Sequence, residues 1–178
     1  MSHFFVTKSS IAFFIASLLS PWTAFASVID ESILNDASIV GQSRLTVLLW
    51  DIYDASLYAK NGIYHPEKPF ALSLRYLRDF EGKDIAERSI QEITAKGLSD
   101  LSTFDTWRKS LLKLFPDVSE GDEIIGVYGP DKRSLFYLNG NMFGSIDDVE
   151  LGRLFFDIWL GDDTSEPRLR RELLGIDD

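Results

Sequence analysis

Apolar and polar positions alternate most plainly between Phe70 and Arg78, where Phe70, Leu72, Leu74 and Tyr76 interleave with Ala71, Ser73 and Arg75. A period of two predicts a strand with one buried face. Upstream, Ile39 to Tyr58 is rich in Val, Leu, Ile, Trp and Tyr, with Gly41 near its start and Asn61-Gly62 behind it, and reads as one or two strands. Past Lys83 the period changes: Ile85, Ala86, Ser89, Ile90 and Ile93 recur at helical spacing up to Lys96, and Gly97 stands where a left-handed cap belongs. A second amphipathic helix is predicted from Phe104 to Phe115, with Phe104, Trp107, Leu111, Leu114 and Phe115 on one stripe and Pro116 ending it. Three short apolar runs follow, Glu123 to Tyr128, Leu135 to Leu138 and Met142 to Ile146, the last two separated by Asn139-Gly140, a strong hairpin signal. Asp147 with Glu150 three residues on opens another helix, whose buried face is Val149, Leu151, Leu154, Phe155, Ile158 and Trp159, up to Gly161. Ser165-Glu166-Pro167 then opens a short last helix carrying Leu169, Leu173 and Leu174.

Strands, a helix pair, a meander and more helices, in that order, predict an α+β fold: an antiparallel sheet covered on one face by a layer of helices. Parallel strands would need a helix between each pair.

The N-terminus follows different rules. Lys8 is the only charge ahead of an apolar run from Ile11 to Leu19, and Ser20, Pro21 and the small-x-small triplet Ala24-Phe25-Ala26 come next. This is the layout of a cleavable signal peptide, too short and too broken to span a bilayer. Residues 1–26 are therefore expected to be removed, leaving residues 27–178 as one domain in a periplasmic or secreted setting, with no further segment of spanning length. The composition is that of a globular chain, 45% hydrophobic and 13% aromatic, able to bury a sizeable core. Cysteine is absent, which excludes disulfides, thiolate catalysis and Cys-ligated metal. A net charge of −10 opposes nucleic acid and anionic lipid as partners.

Catalytic motifs are scarce. Of the two histidines, His3 lies in the signal segment and His65 beside Pro66 in a turn, so a His-based triad or a zinc cluster lacks parts. Neither a P-loop nor a dinucleotide fingerprint occurs, and the Gly140–Gly144 cluster sits in a hairpin. The pairs Asp147-Asp148 and Asp162-Asp163 lie where helix caps are expected. No metal, cofactor or catalytic set is called for. What stands out is a group of basic and phenolic residues within apolar strands: Arg44, Tyr53, Arg75, Tyr76 and Arg78. Such residues commonly sit at an edge or on a solvent face. They also suit a pocket in which an arginine holds a carboxylate and a phenol donates a further bond.

Trp50-Asp51-Ile52-Tyr53-Asp54-Ala55-Ser56-Leu57-Tyr58, then Pro69-Phe70-Ala71-Leu72 and Tyr76, then Phe155-Phe156-Asp157-Ile158-Trp159-Leu160-Gly161 resemble the bacterial exported branch of the chalcone isomerase-like proteins. The resemblance runs from about Val40 to Gly175 and implies an open-faced sandwich with a ligand cleft between sheet and helices. True chalcone isomerases close a chalcone to a flavanone with an arginine on an early strand, a threonine after it, and a tyrosine and an asparagine on the first helix. Here the resemblance places Tyr53 at the threonine, as in the fatty-acid-binding branch, Ile85 at the tyrosine and Glu92 at the asparagine. It thus implies a non-catalytic protein that binds a fatty acid or similar small apolar anion, with Arg44, Tyr53, Arg75 and Tyr76 as ligand-binding residues. An isomerase or intramolecular lyase of unknown substrate and a partner-binding accessory protein are the alternatives. Arg44 and Tyr53 are an odd number of residues apart, so regular pleating would send them to opposite faces unless a bulge or turn intervenes near Leu48 to Trp50. Arg75 and Arg78 are the substitutes if Arg44 points away.

Overall fold

In a computed structural model, residues 36–97 and 101–176 are described, and the predicted signal segment lies outside them. The apolar stretch that reads as one or two strands is two: β1 (Ala37–Val47) and β2 (Trp50–Lys60). They are joined by a tight turn in which Leu48 takes a positive φ of 58°. With β3 (Phe70–Tyr76), β4 (Glu123–Tyr128), β5 (Ser134–Leu138) and β6 (Asn141–Ile146) they form a six-stranded antiparallel sheet in sequence order. Helices α1 (Gly82–Ala95) and α2 (Leu101–Leu114) leave the sheet after β3 and return to β4, which pairs with β3. Helices α3 (Val149–Leu160) and α4 (Pro167–Leu173) complete the layer. The expected α+β architecture is the observed one.

Turn chemistry matches the sequence at Asn139-Gly140, where φ is 47° and 88° and β5 folds directly onto β6. Gly97 at φ 84° follows α1 as expected. The cap of α3 differs by one residue from the expectation. Asp148 accepts from the Leu151 N–H at 3.0 Å and from Trp107 Nε1 at 3.0 Å, fastening α3 to α2, whereas Asp147 accepts from the Ser145 hydroxyl. Ser165 likewise does not cap α4, since Glu166 occupies that position with no side-chain cap bond. Asp162 pairs with Arg170, and Asp163 with Lys96.

One main apolar core lies between sheet and helices. Ala55, Leu57 and Ala59 of β2, Phe70, Leu72 and Leu74 of β3 and Phe136 of β5 meet Ala86 and Ile93 of α1, Leu111 of α2 and Leu151, Phe155 and Phe156 of α3. β3 is buried more fully than its alternation suggests, because Ala71 and Ser73 are covered too. On the opposite face Ala71 joins Ile125, Val127 and Tyr137 in a second, smaller cluster. Gly41 marks a close approach: a Cβ there would lie 2.1 Å from the Glu172 carbonyl oxygen, so only glycine lets α4 seat against β1.

Candidate functional site

Cross-strand pairing decides which side chains of the first three strands share a face. Leu45 pairs with Tyr53 and Tyr53 with Tyr76, while Arg44 pairs with Asp54 and Asp54 with Arg75. Directly paired residues point the same way. Leu45, Tyr53 and Tyr76 therefore look toward the helices, and Arg44, Asp54 and Arg75 look away from them.

On the helix side the core is incomplete. A cavity of about 500 Å³ lies between sheet and helices, within the size range of small-molecule sites. Leu72, Ile124, Gly126, Phe136, Phe155 and Phe156 make one end apolar and aromatic. Gly126 belongs there because a Cβ would come within 2.9 Å of the Phe156 ring and 3.2 Å of the Phe136 ring. Polar groups gather at the other end. Trp159 Nε1 donates to the Tyr53 hydroxyl at 2.8 Å, and the Tyr53 and Tyr76 rings meet edge to face at 6.1 Å. From α1, Asp84, Ile85, Arg88, Ser89 and Glu92 line the wall, a helical face of i, i+4 and i+7 spacing. Arg88 forms an ion pair with Glu92; its side chain is 67% exposed at the mouth, whereas that of Glu92 is 12% exposed. Exposed Val47, Ser165 and Glu166 complete the rim.

Both phenols stay protonated well past neutrality. Burial pushes Tyr53 up, the Trp159 hydrogen bond pulls it partly back, and nearby Glu166 raises it again more than Arg88 lowers it. Burial also raises Tyr76, with Tyr53 as its second cause. Because the Tyr53 oxygen accepts from Trp159, its own proton is free to donate, and the Tyr76 hydroxyl has no hydrogen-bond partner among the described residues. The polar end therefore presents O–H donors to a ligand oxygen.

Of the four residues expected to bind ligand, Tyr53 and Tyr76 line the cavity. Arg44 and Arg75 do not: both stand exposed on the other face. Arg44 is engaged bidentately by Asp54 at 2.6 and 2.9 Å and by Asp51 at 3.0 Å, and the Asp54 bond holds its guanidinium above the ordinary arginine range. Its odd spacing to Tyr53 prevails, because a register shift between Leu45 and Thr46, just beyond the Leu48-Leu49 turn, puts Arg44 opposite Asp54 and not opposite Tyr53. Arg78 does not substitute; its guanidinium lies 4.2 Å above the Trp50 ring in a shallow groove that Arg44 also lines. The residues that sequence reasoning passed over are Arg88 and Trp159, together with Glu92 as a wall residue. Their signal was positional, since Arg88 and Glu92 follow Ile85 by three and seven residues on one helical face.

A family model described as chalcone isomerase-like matches residues 39–175. An uncharacterized protein of Haemophilus influenzae is 31% identical over 137 residues, covering 76% of this chain and 67% of that protein. Among solved structures, a fatty-acid binding protein of Arabidopsis thaliana superposes with a TM-score of 0.62 at 16% identity, covering 82% of this chain and 90% of the other.

Proposed function

The chain belongs to the chalcone isomerase-like family, and from that premise we propose that it is a non-catalytic binding protein for an apolar molecule of the fatty-acyl type, held in the cleft between sheet and helices. The observation that carries this reading is the cavity itself: about 500 Å³ walled by aromatic and aliphatic side chains at one end, with its polar groups collected at the other. That is the layout an amphiphile needs, with a tail in contact with Phe136, Phe155 and Phe156 and a head near Tyr53 and Tyr76. The fatty-acid binding function named for the Arabidopsis protein of this fold supports the same reading.

Catalysis of the family's cyclisation has no support in the wall of α1. At the positions matching the tyrosine and asparagine of true isomerases stand Ile85, which offers no hydrogen bond, and Glu92, which is committed to Arg88 and would repel an enolate. Chalcone is expected to cyclise no faster with the protein than in buffer, and turnover above that blank that disappears with Tyr53→Phe would move the protein into the enzyme class.

Saturable titration of a fluorescent acyl probe tests the binding reading. Ile85→Trp, which places a large ring in the cavity, should abolish saturation while thermal unfolding stays cooperative. Absence of saturable binding in the wild type, or full binding in Ile85→Trp, would overturn the cleft. Export belongs to the same proposal and rests on the Ala24-Phe25-Ala26 pattern. N-terminal sequencing of envelope-fraction protein should return Ser27, and Met1 would refute it.

A further inference from the structure

The charge pattern at the polar end narrows the class of ligand. Four charged side chains line the cavity, Asp84, Glu92 and Glu166 against Arg88, so acids outnumber bases there. Arg88 is moreover already paired with Glu92, and the more enclosed member of that pair is the acid. The arginines that could have met a carboxylate, Arg44 and Arg75, are on the other side of the sheet. A carboxylate brought to Tyr53 and Tyr76 would lose its water and meet no unpaired cation among the described residues. What the site does offer is donors: the Tyr53 hydroxyl, oriented by Trp159 at 2.8 Å, and the Tyr76 hydroxyl. Burial is the main cause of the raised Tyr53 phenol, and among the charges around it Glu166 disfavours the phenolate more than Arg88 favours it.

We infer that the cavity takes an acyl molecule whose head is an uncharged carbonyl, such as an ester, accepting hydrogen bonds from Tyr53 and Tyr76, and not a free carboxylate. This rests on the cleft-binding reading above and adds the chemistry of the head to it.

The experiment displaces a neutral fluorescent probe, N-phenyl-1-naphthylamine, from the full exported chain with a matched series of one chain length: the methyl ester, the free acid and the primary amine. At pH 8 the ester is expected to bind roughly tenfold or more tighter than the acid, as loss of one poorly compensated charge implies. Lowering the pH toward that of a protonated carboxyl, about 4.3 to 5, should bring the acid close to the ester while the ester itself changes little. Tyr76→Phe should weaken the ester roughly fivefold, the worth of a neutral hydrogen bond. Glu92→Gln, which removes an acid and frees Arg88, should strengthen the acid selectively. An acid that binds as well as the ester at pH 8, or an amine that binds tighter than both, would overturn the inference and leave the cleft intact. Failure of the probe and all three ligands to bind saturably would instead overturn the cleft reading on which it stands. Should Glu92→Gln not fold, the wild-type series and its pH dependence decide the matter alone.

Discussion

The two faces of the first three strands are made from alternate residues of the same chain, yet they do different work. One carries Leu45, Tyr53, Leu57, Leu72, Leu74 and Tyr76 and is closed over by helices; the other carries Arg44, Asp54 and Arg75 and is open to solvent at that end. On the exposed face charged groups answer one another directly, as Arg44 does with Asp51 and Asp54, and ion pairs there are screened by water. On the covered face the polar groups of these strands are the Tyr53 and Tyr76 phenols, the first bonded to Trp159, and the Ser43 hydroxyl, which donates to Glu172 of α4. An arginine in an apolar strand is therefore not by itself a ligand anchor. Its meaning depends on which face the helices cover.

The contrast breaks most visibly under truncation. Leu57→Ala removes a fully buried side chain from the covered face and should cost about 3 kcal/mol, seen as a lower denaturation midpoint, whereas Ser56→Ala next to it should fall within about 0.5 kcal/mol. An equal loss for both would mean that the two faces are not distinct in energy. Tyr53→Phe tests the polar end of the cavity: it strands the Trp159 N–H and should cost about 1 to 2 kcal/mol of stability, more than deletion of an exposed hydroxyl. Leu48→Gly probes the end of the hairpin where the faces meet. Leu48 holds φ at 58° while 90% exposed, so glycine should stabilise the fold by up to about 1 kcal/mol, measured as a higher melting temperature. The smallest effect sharpens the comparison most. Arg44→Ala and Arg75→Ala should leave acyl-probe affinity at the wild-type value, and a clear loss in either, with folding intact, would return an arginine to the site.

Much of this protein could be read from its residues in order. Periods of two and of 3.6 located the strands and helices, Asn139-Gly140 marked the β5–β6 hairpin, and Pro116 marked the stop after α2, because these signals act over one or two turns of chain. The choice of Tyr53 and Tyr76 as ligand-binding residues has them both on the cavity wall. Naming Arg75 beside Tyr76 could not hold for one cleft, since adjacent strand residues point to opposite sides. Arg88 went unnoticed for the converse reason. An arginine three residues after Ile85 reads as the solvated side of an amphipathic helix, and its place at a cavity mouth arises only once α1 has packed against α2 and α3.

Local pattern, then, sufficed for the elements and for which residues must share a face, because backbone geometry enforces both over a few residues. It could not say which face of the sheet the helices would close, nor that their packing would leave about 500 Å³ unfilled next to two phenols and more acid than base. Those features come from contacts between segments far apart in the chain, such as Tyr53 with Trp159, and no short-range period records them.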